Sequence, residues 1–135
     1  MAAKILIVDD HEVVREGIRT LISRSHREWQ VCGEAETGER AIEKVQALKP
    51  DIVVLDITMP GISGLAAASR IISSNPTCRV LIFTMHESER LAAEVQGVGA
   101  HGYVLKSQAA RDLIRAIDQL LSGNTFFGSP LTTSA

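Results

Sequence analysis

The 135-residue sequence has no apolar run near the 18 or more residues that a membrane span needs, and Met1 to Lys4 lacks the charged start and long apolar stretch of a secretory signal. No membrane span is expected, and the location expected is cytoplasmic. There is no Lys/Arg-rich block, aromatics make up 4% of the chain, and the formal charge is -2. The segment therefore carries no basic footprint for nucleic acid or for an anionic membrane. The turn after the first apolar run, "VDDHEV", contains no glycine, which excludes the phosphate-cradling loop of a nucleotide-binding domain. With only two cysteines, any core must form without a disulfide framework, and 45% hydrophobic residues are enough to build one in a single domain.

What is present alternates. Short β-branched runs occur at Ile5 to Val8, Trp29 to Gly33, Ile52 to Leu55, Val80 to Phe83 and Tyr103 to Leu105, with segments of helical period between them. Val14, Ile18, Leu21 and Ile22 share one face of the first helical segment; Leu113, Ile114, Ile117, Leu120 and Leu121 share one face of the last. Gly38, Pro50, Gly64, Pro76, Gly99 and Gly102 fall near the boundaries. Five strand-helix units of this kind predict an α/β fold, with a parallel sheet covered on both faces. The runs "IVVL" and "VLIF", apolar at every position, suit strands buried on both sides. Ligands of such sheets bind beyond the carboxyl ends of the strands, so the residues at those ends carry the most information.

Those ends are polar. Asp9 and Asp10 follow the first strand, Asp56 the third, Thr84 the fourth and Lys106 the fifth. Singly, each has an ordinary explanation: Asp10 as a helix cap, Asp9 and Lys106 as solvated loop residues, Asp56 in a turn, Thr84 as a β-branched strand residue. Jointly, with strands about 4.8 Å apart, they bring three carboxylates, a hydroxyl and an ammonium group to one sheet edge. Clustered carboxylates repel unless a cation lies between them, and an all-oxygen donor set suits Mg²⁺. His11 is expected on a solvated face of the first helical turn, without a catalytic role.

The motifs "IVDDH", "LDITMPGISG", "FTMH" and "GYVLKS", in that order and spacing, resemble the receiver domain of two-component response regulators over about residues 3 to 123. "VDDHEVVREGIRTLI", "AHGYVLKS" and "SGNTFFGSPL" are similar to the NarL/FixJ (LuxR-type) subgroup. The resemblance implies the flavodoxin-like strand order 2-1-3-4-5. It implies a receiver over residues 1–123 and the start of a linker over 124–135, the subgroup's DNA-binding helix-turn-helix not being present. It also implies that Asp56 accepts a phosphoryl group from a sensor histidine kinase. Mg²⁺ would be held by Asp10, Asp56 and the backbone carbonyl of Thr58, with Asp9 acting through water, and Lys106 and Thr84 would bind phosphoryl oxygens. Thr84 would move inward on phosphorylation and Tyr103 would turn into the space it leaves, switching a surface that controls homodimer formation and, through the helix-turn-helix, transcription. Thr58 and His86 flank the site where the lifetime of the phosphoryl group is set.

Two positions depart from the family pattern without touching the chemistry. Ser107 follows the lysine where many receivers have proline, and Glu12 stands where the subgroup often has proline. Two other readings remain: a receiver-like interaction module that is never phosphorylated, and a Mg²⁺-dependent aspartyl-phosphate phosphohydrolase. The intact set Asp9, Asp10, Asp56, Thr84 and Lys106 speaks against the first. Thr58, where that hydrolase needs a second acid, speaks against the second. With the implied strand order Cys32 and Cys78 lie three strand spacings apart, about 14 Å, too far for a disulfide, and are expected to be free thiols.

Overall fold

The computed structural model describes residues 2–25, 28–59, 61–85 and 88–127. Five strands, β1 (Ala3–Val8), β2 (Trp29–Ala35), β3 (Ile52–Leu55), β4 (Arg79–Thr84) and β5 (Gly102–Leu105), alternate with α1 (Glu12–Arg24), α2 (Gly38–Leu48), α3 (Gly64–Ser74), α4 (Glu89–Gly97) and α5 (Ala109–Leu121). A single 3₁₀ turn, Lys106–Gln108, joins β5 to α5. The strands pair in parallel in the order β2-β1-β3-β4-β5, as expected.

Each apolar strand serves two cores because successive side chains point to opposite faces. Leu6, Val8, Val53, Leu55, Val80 and Ile82 join Ala41, Val45, Ala67, Ala68, Ile71 and Val95 of α2, α3 and α4. Ile5, Ile7, Ile52, Val54, Leu81 and Phe83 join Ile18, Ile22, Leu113, Ala116, Ile117 and Leu120 of α1 and α5. Full burial of such a side chain contributes about 1.5–3 kcal/mol, so the central strands hold the sheet's relative strand positions firmly. Thr37, Ser63 and Ser88 start α2, α3 and α4, each side-chain oxygen accepting the amide N–H three residues on.

The strands run slightly past the apolar runs that mark them. β2 continues to Ala35, which pairs with Val8, and a bulge opposite Ile5 and Leu6 absorbs Cys32. β4 includes Thr84, paired with Leu105. Parallel neighbours extend a strand through polar positions that hydropathy alone would leave out. Cys32 and Cys78 are free. Burial pushes the Cys78 thiol up to about 12, and burial raises Cys32 as well, leaving both poor nucleophiles.

The first residues of the expected linker lie against the sheet. After α5, Gly123 (φ 89°) turns the chain, and the Phe126 N–H donates to the His101 carbonyl (3.0 Å) while the Tyr103 N–H donates to the Phe126 carbonyl (2.8 Å). Phe126 packs on the α1/α5 side and Phe127 on the other. Residues 128–135 and His86 lie outside the described residues.

Candidate functional site

β1 and β3 are neighbours, with Val8 opposite Leu55, so the residues that follow them are brought side by side. The Asp56 N–H donates to the Val8 carbonyl (2.9 Å) and the Asp9 N–H to the Ala35 carbonyl (3.1 Å), extending the ladder by one step at each strand end. Asp9 and Asp56 are both fully buried, and so is Thr84. Such burial of carboxylates is costly without compensation.

The compensation is partial. Lys106 Nζ lies 2.7 Å from Asp9 Oδ2 and 3.5 Å from Asp56 Oδ2. The 3₁₀ turn that begins at Lys106 delivers its ammonium group to the neighbouring strand ends. The Thr58 amide N–H (3.1 Å) and Oγ1 (3.0 Å) both donate to Asp56 Oδ1. The His11 N–H donates to Asp9 Oδ1 (2.9 Å). Yet among the described residues the buried side-chain polar atoms without a hydrogen-bond partner are Asp9 Oδ2, Asp10 Oδ1 and Asp56 Oδ2. The Lys106 contact with Asp9 Oδ2 is a close charge pair that lacks hydrogen-bond alignment. Three carboxylates and one ammonium group leave unbalanced negative charge in a low-dielectric pocket, the condition that a hard divalent cation relieves. Asp9, Asp10, His11 and Asp56 each bring one ligand atom within 4.8 Å of the others.

Gly64 sets the height of the Asp56 loop. A Cβ there would lie 2.3 Å from Ile57 Cα and 2.6 Å from the Asp56 carbonyl oxygen, so the start of α3 approaches the loop more closely than any larger residue permits.

The expected residues Asp9, Asp10, Asp56, Lys106 and Thr58 thus converge, and Thr84 ends the adjacent strand beside Leu105, the residue before Lys106. For Thr58 the contacts to Asp56 come from its amide and hydroxyl. Tyr103, expected to turn inward, is already packed inward at 6% exposure. His11 is exposed as expected, but it lies just before α1 and beside the acids. It precedes α1 in extended conformation, and its Nδ1 lies 3.0 Å from Asp9 Oδ1 and 3.1 Å from Asp10 Oδ1 while the side chain stays 59% exposed. The period of α1 put this residue at the helix surface; the turn from β1 folds its ring back over the acids.

Arg15 was not singled out by its sequence context. It is buried with Ile18 and Ile22 on the inner stripe of α1, and its NH1 donates to the Asp9 carbonyl at 2.7 Å. A charged residue at the i-3 position of an otherwise apolar helix stripe is the signal that marks it.

The site lies beside a groove of about 430 Å³ between α1 and α5, lined by Val13, Val14, Leu21, Phe83, Ala109 and Ala110 among others, and Lys106 forms part of its wall. Val13 is 81% exposed.

A family model for the response regulator receiver domain matches residues 5–118. The chain is 39% identical over 132 residues to the oxygen regulatory protein NreC of Staphylococcus haemolyticus (strain JCSC1435), which covers 97% of this chain and 60% of NreC. A solved two-component response regulator of the LuxR family from Aurantimonas sp. SI85-9A1 superposes with a TM-score of 0.92 at 38% identity, covering 98% of this chain and 94% of that one. A structure of two RcsB dimers bound to two parallel DNAs matches with a TM-score of 0.85 at 27% identity, over 93% of this chain and 64% of RcsB. The chain spans between 54% and 60% of the length of such curated relatives.

Proposed function

The chain belongs to the response regulator receiver family, in its NarL/LuxR-type subgroup, and on that premise we propose that Asp56 accepts, in the cytoplasm, a phosphoryl group from a phosphohistidine of a sensor histidine kinase. The observation that carries the reading is a fully buried Asp56 whose Oδ2 has no hydrogen-bond partner and lies 3.5 Å from Lys106 Nζ. One carboxylate oxygen is held by Thr58 and the other is left to react.

In the transfer an Asp56 oxygen forms a bond to phosphorus as the P–N bond to the donor imidazole breaks, and catalysis is mostly positioning and charge stabilisation. Asp10, Asp56 and the backbone carbonyl of Thr58, with Asp9 through water, would hold Mg²⁺. Bound there, the ion would offset the charge of the carboxylates and of the phosphoryl oxygens. Lys106 moves its ammonium group from the carboxylates to a phosphoryl oxygen, and the Thr84 hydroxyl donates to another. The same residues promote slow loss of the group to water, with Thr58 beside the path. The chain assists its own modification and turns over no separate substrate.

The groove between α1 and α5 is the approach for the kinase. Lys106 lines it, so a helical surface seated on Val13, Ala109 and Ala110 presents its histidine at the site. Thr84 and Tyr103 then pass the change to the surface, a coupling of about 1–3 kcal/mol. The output proposed is pairing with a second copy, after the RcsB dimers on DNA, with DNA contact made by a helix-turn-helix outside residues 1–135.

Mass spectrometry after acetyl phosphate treatment tests the reading. One base-labile phosphoryl group is expected with Mg²⁺, and none with EDTA or in Asp56→Asn, whose amide is a poor nucleophile. Stoichiometric phosphate on Asp56→Asn would end it; so would a wild-type chain that stays unmodified.

A further inference from the structure

Asp9 and Asp10 lie on the short turn between β1 and α1, where the sheet's own hydrogen bonds end. The last β1 carbonyl with a β3 partner is that of Val8, which accepts the Asp56 N–H. The next carbonyl, that of Asp9, is met by an arginine six residues on: Arg15 NH1 donates to it at 2.7 Å. Arg15 is also tied to β2. Its Nε donates to Glu34 Oε1 at 2.8 Å, and Arg19 NH1 holds the other oxygen, Glu34 Oε2. The Arg15 side chain is 9% exposed, with Glu36 Oε1 3.6 Å and Glu12 Oε1 4.0 Å from NH2.

We infer that Arg15 is a positioning residue for the metal-binding carboxylates, acting through the Asp9 carbonyl; this rests on the reading of that site given above. The Asp9 backbone is held at both polar groups, its N–H by Ala35 and its carbonyl by Arg15. Fixing the carbonyl fixes the Asp9–Asp10 peptide plane, and with it the direction in which the Asp10 side chain leaves the chain. A planar fork with several rigidly placed donors can span the carbonyl and Glu34 together, whereas the donors of a lysine all radiate from one compact nitrogen that does not reproduce that spacing.

Position and charge make opposite demands here, which makes the inference testable. A guanidinium near a cation site disfavours the cation by like-charge repulsion. On charge alone, Arg15→Met tightens Mg²⁺ binding. If Arg15 holds the carboxylates in place, the same change weakens it, by about tenfold from the usual effect of removing a group that orients a metal ligand. Arg15→Lys, with charge kept and the fork lost, weakens it too. Glu34→Gln separates this from a mere pin between α1 and β2. It breaks the Arg15–Glu34 ion pair but leaves the Asp9 carbonyl bond, and Mg²⁺ affinity is expected to stay within about twofold of wild type.

The experiment is a Mg²⁺ titration of wild type and the three variants, followed by the amide resonances of Asp10 and Thr58. In parallel, acetyl phosphate reaction rates are measured against Mg²⁺ concentration. The expected result is a half-saturation point raised about tenfold in Arg15→Met, with the rate recovering at saturating Mg²⁺, a split that general loss of fold stability does not produce. Unchanged or tighter binding in Arg15→Met overturns the inference, as does a Glu34→Gln variant that loses as much affinity as Arg15→Met. A wild-type chain whose resonances do not respond to Mg²⁺ overturns the metal-site reading itself.

Discussion

The two ends of the sheet use the same residue types to opposite effect. At the end where the strands start, Asp51 is exposed yet well partnered: its Oδ2 accepts the Lys4 amide N–H at 2.7 Å, and Lys4 Nζ donates to the Leu48 carbonyl. The Asp51 N–H donates to the Lys4 carbonyl and its carbonyl accepts from the Arg79 N–H. At the end where the strands finish, Asp9 and Asp56 are fully buried yet each keeps an oxygen without a hydrogen-bond partner. Burial should make a carboxylate demand more partners. Here each buried carboxylate leaves one oxygen without a hydrogen-bond partner. Stability explains the first end, whereas the second carries a cost that a stability-optimised protein would have removed, which is the mark of a site kept for chemistry.

The largest break of that comparison is expected from Gly64→Ala. A Cβ within 2.3 Å of Ile57 Cα and 2.6 Å of the Asp56 carbonyl has no flexible side chain to displace, so the Asp56 loop must move. A loss of about 3 kcal/mol in urea unfolding is expected, with weaker Mg²⁺ binding alongside. A variant as stable as wild type would show that the loop has room to spare.

Changing one carboxylate at each end sharpens the contrast. In EDTA, Asp10→Asn removes like-charge repulsion and is expected to stabilise the fold by about 1 kcal/mol. Asp51→Asn weakens a hydrogen bond that the charge assists and is expected to cost about 1 kcal/mol. Equal signs in the two denaturation curves would erase the distinction.

A smaller effect concerns His101, just before β5. Its Nδ1 accepts the Val80 N–H at 3.0 Å, which requires a neutral ring. Burial, with Arg79 adding to it, lowers its pKa below the usual 6.5. A depressed folded pKa contributes stability that is present above the unfolded value and is lost as pH falls through the folded one. Urea midpoints should therefore drop as pH falls below about 6.5, and less steeply in His101→Asn, whose side-chain oxygen accepts a hydrogen bond at any pH. Parallel pH profiles would remove His101 from the account.

The sheet was legible because hydropathy marks strands directly: "ILIV", "IVVL" and "VLIF" are most of β1, all of β3 and most of β4. The site was legible for a related reason, since Asp9, Asp56 and Lys106 each follow an apolar run and strand pairing alone brings such ends together. Residues whose roles depend on how turns fold were not legible in this way. The period of α1 gives the placement of neither His11 over the acids nor Arg15 under the Asp9 carbonyl. Phe126 and Phe127 read as linker because the turn at Gly123 that returns them to β5 leaves no periodic trace.

The most direct test of the central claim, that the orphaned carboxylate of Asp56 is the reactive one, is to locate the modification. Treatment with acetyl phosphate and Mg²⁺, reduction with borohydride and peptide mapping converts an aspartyl phosphate into homoserine at the position that carried it. Homoserine in place of Asp56, absent when Mg²⁺ is withheld, is the expected result. Homoserine in place of Asp9 or Asp10, or an unmodified Asp56 peptide with Mg²⁺ present, would contradict it.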